Sequence, residues 1–190
     1  IRRQRQMCIR DSYYSFFAYQ GSNSSASICR TYACSISKEL YDQIPETDVR
    51  KNMFLGPKEG ETYTTSTGRA SKGALYDRAM KDYADKIYST SYIFAYMQFK
   101  ILCADQPGIG QLNNFRSAEM YLIEAEANCH IGGKDAETQK LLVALNKDSG
   151  RNPAYTCTKT GDNLLQEVKL YRRIELWGEG FDWFDYKRWK

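Results

Sequence analysis

The C-terminal stretch over 164–190 constrains the fold of this chain most. Apolar residues recur in it at steps of three and four, as on one face of an α-helix: Leu164, Leu165, Val168, Tyr171, Ile174 and Leu176. Gly178 and Gly180 follow, and glycine readily adopts the left-handed backbone at a helix C-terminus. We therefore predict an amphipathic helix over 162–178, followed by an aromatic block over 181–189 that folds back onto the helices.

Two further helices are predicted upstream. Side chains at helical spacing mark the first, over 116–131: Phe115, Ala118, Tyr121, Leu122, Ala125 and Cys129. Gly132 and Gly133 interrupt this pattern, and a second helix over 135–148 carries Leu141, Leu142 and Leu145. A break this short favours antiparallel neighbours, so we expect the three C-terminal helices to pack together in a mainly α structure.

The front of the chain is less regular. A short helix is predicted from Ser37 to Ile44, since Pro45 prevents its continuation. The segment over 56–73 is rich in Gly, Thr, Ser and Lys without periodicity, which indicates a long exposed loop. The aromatic and β-branched content of 91–102 indicates a strand.

Composition excludes several classes of protein. The net charge is only +4 and no basic stripe interleaves with aromatic residues, so we expect no nucleic-acid partner. The single histidine, His130, has no second imidazole, and Cys29 and Cys34 are too widely spaced for a C-x-x-C site, so we expect neither metal nor cofactor. Oxidising surroundings would permit a Cys29–Cys34 disulfide. The 15 tyrosines suit sugar recognition, since each combines an apolar ring with a polar tip, although most should be core residues.

Paired carboxylates are the main candidates for catalysis. They lie on two predicted helices: Glu119, Glu124 and Glu126 on one, Glu175 and Glu179 at the end of another. Such a pair could serve a glycosidase as acid and nucleophile. Arginine–carboxylate forks that hold helix ends together are the commoner use of these residues, and Glu175 and Glu179 would repel unless bridged by a cation such as Arg172 or Arg188. We predict that the protein is not an enzyme.

Three blocks together resemble one known family. The pattern E-L-x-G-E-G-F-x-x-F-D-x-K-R-W over 175–189 resembles the C-terminal signature of the SusD/RagB family of outer-membrane nutrient-binding lipoproteins, and the helix R-x-A-E-M-Y-L-I-x-A-E-A over 116–127 and the D-x-R segment at Asp48 are similar to two other family segments. Ten residues carry the structural signature: Arg116, Glu119, Tyr121, Glu126, Glu175, Glu179, Gly180, Asp185, Arg188 and Trp189. Tyr171 and Asp182 depart from it, because the family commonly has Glu and Arg at these positions.

The resemblance implies a SusD-like fold with tetratricopeptide-like helical hairpins and long irregular loops, here incomplete at both ends. It further implies a lipid-anchored protein on the extracellular face of the outer membrane. Such a protein binds a nutrient, usually an oligosaccharide, and delivers it to a TonB-dependent (SusC-like) transporter. Two alternatives remain: a protein of the same fold that binds peptide or another nutrient, and a helical-repeat scaffold that binds only protein.

The N-terminal boundary and the ligand site are predicted as follows. Residues 1–12 form a basic stretch in which M-C-I-R-D-S resembles the translation of a sequencing adaptor, so we exclude them and assign 13–190 to the C-terminal part of the SusD/RagB-like domain. The ligand-binding candidates are Tyr13, Tyr14 and Tyr19, whose rings could stack on sugar, and Asn23, which could orient a hydroxyl. The alternative for this run, most of all for its phenylalanines, is a buried strand.

Overall fold

A computed structural model describes residues 19–105, 108–110 and 115–190. The chain forms two compact units, which are described separately. Unit 1 comprises Ile1–Gln43 and Lys51–Leu112, and unit 2 comprises Ile44–Arg50 and Asn113–Lys190.

Unit 1 contains short elements joined by irregular chain. They are α1 Ser27–Thr31, α2 Lys38–Asp42, β1 Arg69–Ala70, α3 Ala74–Asp82, a 3₁₀ turn at Ala84–Lys86 and β2 Ile93–Phe94. A further 3₁₀ turn, Val49–Met53, spans the sequence boundary between the units. The two strands pair antiparallel, with Arg69 opposite Phe94 and Ala70 opposite Ile93. This pairing places the segment that precedes α3 beside the segment that precedes β2.

Two predictions in unit 1, a helix over 37–44 and a strand over 91–102, have different outcomes. The helix predicted over 37–44 is confirmed as α2, and the Ser37 hydroxyl caps it by accepting a hydrogen bond from the Leu40 amide at 3.3 Å. The strand predicted over 91–102 is only partly correct, because β2 covers two residues and Met97 and Gln98 form isolated antiparallel bridges. Tyr96 has φ of 61°, a left-handed conformation that a continuous strand cannot contain.

The core of unit 1 consists of buried apolar side chains between positions 55 and 99: Leu55, Ala70, Leu75, Ala79, Ile87, Ile93, Ala95, Met97 and Phe99. The segment over 56–73 is mostly exposed, as predicted, but it includes β1 and is tied to α3. Arg78 donates to both carboxylate oxygens of Glu61, at 2.6 and 2.7 Å, and to the Gly56 carbonyl at 2.8 Å. A bidentate Arg–carboxylate pair therefore closes this loop.

Unit 2 is helical. Its elements are α4 Ser117–Ile131, α5 Asp135–Val143, a π-helical turn at Ala144–Asp148, α6 Gly161–Glu175 and α7 Asp182–Arg188. Gly132 has φ of 79° and ends α4, and α4 packs against both α5 and α6. The predicted mainly α class and three-helix packing are confirmed, although α6 ends three residues before the predicted boundary.

The apolar face predicted for α6 is confirmed, whereas that of α4 is only partly correct. Five of the six α6-region residues are buried: Leu164, Val168, Tyr171, Ile174 and Leu176. On α4 the buried apolar residues are Ala118, Leu122 and Ala125. Phe115 precedes the helix and is 88% exposed, and Tyr121 is 42% exposed. Helical spacing alone could not exclude them, because α4 carries apolar residues on all sides.

The aromatic block over 181–189 contains α7, and two of its aromatic rings, those of Trp183 and Phe184, do not anchor it. Trp183 and Phe184 are 67% and 68% exposed, so the prediction that these rings return onto the helices is wrong. The buried residue of α7 is Asp185, at 3% exposure. A buried carboxylate needs cationic partners, so α7 is anchored by ion pairs. Among the described residues, no helix is long and apolar enough to cross a membrane.

Candidate ligand-binding site

The predicted ligand segment is described only in part. Tyr13 and Tyr14 lie outside the described residues, and Tyr19 is 38% exposed. The Asn23 side chain donates from Nδ2 to the Cys103 carbonyl at 3.0 Å and accepts from the Cys103 amide at 2.6 Å. Both ends of this amide therefore hold the backbone of Cys103. That these four residues contact a ligand stays a prediction.

Several signature residues meet around one buried carboxylate in unit 2, the Glu175 centre, which comprises Asp48, Arg50, Arg116, Asn146, Arg151, Glu175 and Glu179. Arg50 donates to Glu175 at 2.8 Å, to Asp48 at 2.9 and 2.6 Å and to Asn146 at 2.6 Å. Arg151 forms a fork on Glu175, at 2.9 and 3.0 Å. Arg116 bonds both Glu175 and Glu179.

Arg116 is therefore the cation that bridges Glu175 and Glu179. The prediction of Arg172 or Arg188 in this role is wrong, because these two arginines bind Asp185. The prediction chose arginines close to Glu175 and Glu179 in sequence, whereas the carboxylates at a helix end can also pair with an arginine from a distant part of the chain. Burial alone would raise the pKa of Glu175, but the charge and hydrogen bonds of Arg151, with the charges of Arg50 and Arg116, lower it below the ordinary value.

A second charged group, the Glu126–Asp185 centre, ties α7 to α4 and α6 and comprises Glu126, Arg172, Asp185, Arg188 and Trp189. Asp185 accepts from Arg172 at 2.6 Å and from Arg188 at 3.0 Å. Glu126 accepts two bonds from Arg188 and one from the Trp189 indole at 2.7 Å. Burial alone would raise the pKa of Glu126, but the bonds from Arg188 and Trp189 lower it. The signature residues of both centres thus hold helices together.

The remaining signature residues and the two departures have separate surroundings. Gly180 has φ of 88°, Glu119 is half-buried, and Tyr121 is exposed. Tyr171, where the family commonly has Glu, places its ring 5.3 Å from the Arg50 guanidinium. Burial raises the pKa of Asp182, partly offset by Arg173, so the acid at this position is accommodated without a strong ion pair.

Unit 1 contains a pocket of about 260 Å³ that sequence analysis did not find. It lies where β1 pairs with β2 and is lined by Arg69, Ala70, Ser71, Tyr76, Ser89, Thr90, Ser91, Tyr92 and Ile93. Tyr19 and Asn23 are not among these residues. We call it the Arg69 pocket. Its volume is below the roughly 300–1,000 Å³ typical of sites for drug-sized ligands, so it suits a single small ring or group.

Aromatic, hydroxyl and cationic groups converge in the Arg69 pocket. The Arg69 guanidinium carbon lies 3.5 Å from the centre of the Tyr92 ring, a cation–π contact that holds the guanidinium against this ring. Beside it, Arg30 of α1 donates to the Thr90 hydroxyl at 3.0 Å, and the Arg30 carbonyl accepts from the Tyr92 amide at 2.7 Å. The polar run S-T-S-Y over 89–92 does not by itself predict a pocket, because Arg69 comes next to it only through the pairing of β1 with β2.

The structure gives little support to metal binding or to cysteine chemistry. Among the described residues, no group of three or more His, Cys, Asp or Glu side chains could hold a metal ion. Cys29 and Cys34 are not joined by a disulfide in the structure, so the bond that the sequence would permit is not formed. Burial, with Cys34 and Cys103 nearby, raises the pKa of Cys29 to about 11, so this thiol is a poor nucleophile at neutral pH.

Comparison with known proteins identifies the family. The model of the SusD family, SusD_RagB, matches residues 9–190. A crystal structure of a SusD-like carbohydrate binding protein from Bacteroides vulgatus ATCC 8482 is similar, with a TM-score of 0.53 and 21% identity over 93% of this chain. The chain spans 38% of that protein's length. No curated protein matches the chain in sequence. The mainly α architecture and the family match agree, and the chain belongs to the SusD family.

Proposed function

We propose that the protein binds a nutrient, an oligosaccharide, at the outer surface of the outer membrane and delivers it to a TonB-dependent (SusC-like) transporter. The protein is held there by a lipid anchor and does not modify its ligand. Family membership over 9–190 supports this function in general terms. The observation that carries the sugar assignment is the Arg69 pocket, a polar and aromatic concavity within a member of this family.

The chemistry of the Arg69 pocket fits a sugar ring. A sugar can pack its C–H surfaces against the Tyr76 ring and against the face of the Tyr92 ring that Arg69 does not cover. Burial of such surface contributes about 25 cal/mol per Å². Ser71, Ser89 and Thr90 offer hydroxyl groups that both donate and accept. Sugar hydroxyls need partners of both kinds, so this lining matches them better than a purely apolar pocket would.

We further propose that the segment with Tyr13, Tyr14, Tyr19 and Asn23 contributes stacking rings to ligand binding. Tyr19, the described tyrosine of this group, is 38% exposed and can offer one edge to a ligand. Because both ends of the Asn23 amide bond the Cys103 backbone, its contribution would be to hold the loop that presents the tyrosines.

The non-catalytic assignment is supported by the state of the carboxylates first considered for catalysis. A general acid at neutral pH needs a raised pKa, whereas cations lower the pKa of Glu126 and of Glu175. The oxygens of both carboxylates also accept hydrogen bonds from arginine side chains, so they are not available to a substrate.

Binding is tested with the protein on a glycan array, followed by calorimetry on the glycans retained. Tyr92→Ala should weaken binding by about tenfold or more, since it removes a stacking face worth on the order of 1–2 kcal/mol. Tyr32→Ala is the matched control, because Tyr32 is 71% exposed and does not line the pocket. Tyr13→Ala, Tyr14→Ala and Tyr19→Ala test the second segment, which is removed from the site if all three bind as the wild type does.

Three other results would overturn parts of the proposal. If the protein bound peptides but no glycan, its ligand would be a nutrient other than an oligosaccharide. Hydrolysis of any glycan on the panel by the purified protein would remove the non-catalytic assignment. A complete gene neighbourhood without a TonB-dependent transporter gene, together with failure to co-purify with one from outer membranes, would remove delivery and favour a protein-binding scaffold.

A further inference from the structure

Most arginines of the described residues lie close to a carboxylate. Six form ion pairs with carboxylates: Arg50, Arg78, Arg116, Arg151, Arg172 and Arg188. Arg173 lies near Asp182 and acts on its pKa. By contrast, neither Arg69 nor Arg30 has a carboxylate partner in the part of the chain that the structure describes. These two arginines are the ones at the Arg69 pocket.

The pocket itself supplies no compensating charge. None of its nine lining residues is acidic, so the Arg69 charge is balanced by no carboxylate in the lining. Its guanidinium lies against the Tyr92 ring, and a stacked guanidinium keeps its N–H groups in the ring-parallel plane, where they can donate to an anion. The charge is therefore held in position without being neutralised.

Hydrogen-bonding capacity is also unused here. Among the described residues, Arg69 Nε, Arg30 Nε and Ser91 Oγ are shielded from solvent and have no hydrogen-bond partner. The Thr90 hydroxyl accepts from Arg30, which leaves its own proton to donate. An unpartnered buried donor is unfavourable, so an oxygen-rich ligand that reaches them after a small rotation of the side chains would relieve a cost that the free protein carries.

We propose that the Arg69 pocket binds an anionic sugar residue, one that carries a carboxylate or a sulfate ester, with Arg69 as the main charged contact and Arg30 as a supporting cation. This inference rests on the proposed function and assigns the class of ligand to it. Arginine matches the geometry of both groups because its planar fork places two N–H donors on two oxygens. The pocket volume of about 260 Å³ limits the site to one ring of a longer chain.

The test uses the protein and three pairs of probes: trigalacturonate with its methyl ester, a sulfated galactan trisaccharide with its desulfated form, and a neutral glucan trisaccharide beside its uronate counterpart. Calorimetry at fixed salt should show tighter binding of the charged member in at least one pair. Arg69→Gln should weaken that binding by about 10- to 100-fold, the loss expected for a hydrogen bond to a charged group. The pair that responds distinguishes carboxylate from sulfate.

Lys72→Gln is the matched control. Lys72 is an exposed residue one position beyond the lining residue Ser71, so its removal lowers the local charge equally without touching the pocket. It should bind within about twofold of the wild type, since exposed charges are largely screened. Arg30→Gln provides a second variant should Arg69→Gln melt at a lower temperature than the wild type, and it should weaken binding several-fold.

Two results overturn the inference. If the neutral members bind as tightly as the charged ones, or if both arginine variants bind charged probes as the wild type does, the pocket is not an anion site, and oligosaccharide binding itself still stands. If no glycan of either kind binds, the proposed function fails as well and takes the inference with it.

Discussion

In unit 2, three arginines converge on the Glu175 carboxylate, whereas in unit 1 Arg69 lies against the Tyr92 ring with no carboxylate partner among the described residues. The first arrangement satisfies every charge from within the fold, and Glu175 is 3% exposed. In the second, Arg69 Nε, Arg30 Nε and Ser91 Oγ have no hydrogen-bond partner among the described residues. We therefore propose that arginine stabilises the fold in unit 2 and contacts the ligand in unit 1, depending on whether a carboxylate partner is present.

The difference follows from the cost of burying charge. A buried carboxylate without cations would be strongly unfavourable, so the Glu175 centre must remain closed to keep its helices together. Arg69 is only half-buried and lies against the Tyr92 ring, so the free-energy cost of leaving its charge without a carboxylate is modest. Variants of each region should therefore differ in kind: those of unit 2 should lose stability, and those of the Arg69 pocket should lose affinity.

The largest effect is expected from Glu175→Gln. It leaves Arg50, Arg116 and Arg151 around a neutral amide and should lower the free energy of unfolding by about 3 kcal/mol. Urea denaturation measures this loss. Asp42→Asn is the control, because Asp42 pairs with Lys38 on the protein surface and an exposed ion pair contributes little to stability. Equal losses in the two variants would show that the Glu175 centre does not hold unit 2 together.

Acid should act on the same centre. The folded-state pKa values of Glu175 and Glu126 are lowered, so their stabilisation is fully present above the ordinary value of 4.5 and is lost as pH falls through the lower folded values. Unfolding measured from pH 7 down to pH 3 should therefore show stability falling below about pH 4.5. Glu175→Gln should flatten this decline and Arg69→Gln should leave it unchanged. An identical decline in all three proteins would place the acid-sensitive groups elsewhere.

Trp189→Phe should have an intermediate effect. It retains an aromatic ring but removes the indole N–H that donates to Glu126 at 2.7 Å. A hydrogen bond to a charged group contributes about 1.5–3 kcal/mol, and Arg188 continues to bond Glu126, so a loss near 1.5 kcal/mol is expected in the same denaturation assay. Trp183→Phe, at a residue 67% exposed, should change stability by less than about 0.5 kcal/mol.

The smallest effect on stability is expected from Arg69→Gln, at about 1 kcal/mol or less, because only a stacking contact with Tyr92 is removed. Arg50→Gln is the direct comparison, since it removes an arginine that is bonded to two carboxylates and should cost about 3 kcal/mol. If Arg69→Gln destabilised the protein as much as Arg50→Gln, Arg69 would belong to the scaffold and the contrast between the two regions would disappear.

The scaffold was more predictable from sequence than the candidate site. The helices over 117–131, 135–148 and 161–175 follow from apolar spacing and glycine breaks, which are local signals. The Arg69 pocket has no such signal, because Arg69 and Tyr92 become neighbours only through the pairing of β1 with β2. The bridging role of Arg116 was missed for the same reason, since it lies 59 positions from Glu175 in sequence.

The sequence by itself determined the family, the mainly α class and the apolar face of α6, because periodicity and long motifs are properties of contiguous residues. Only the tertiary structure decided which charges are paired. Asp185 anchors α7 while Trp183 and Phe184 stay exposed. Arg50 is paired with carboxylates, whereas Arg69 has no carboxylate partner within the described part of the chain. Whether a charge can be buried depends on partners brought together through space, and sequence spacing does not record them.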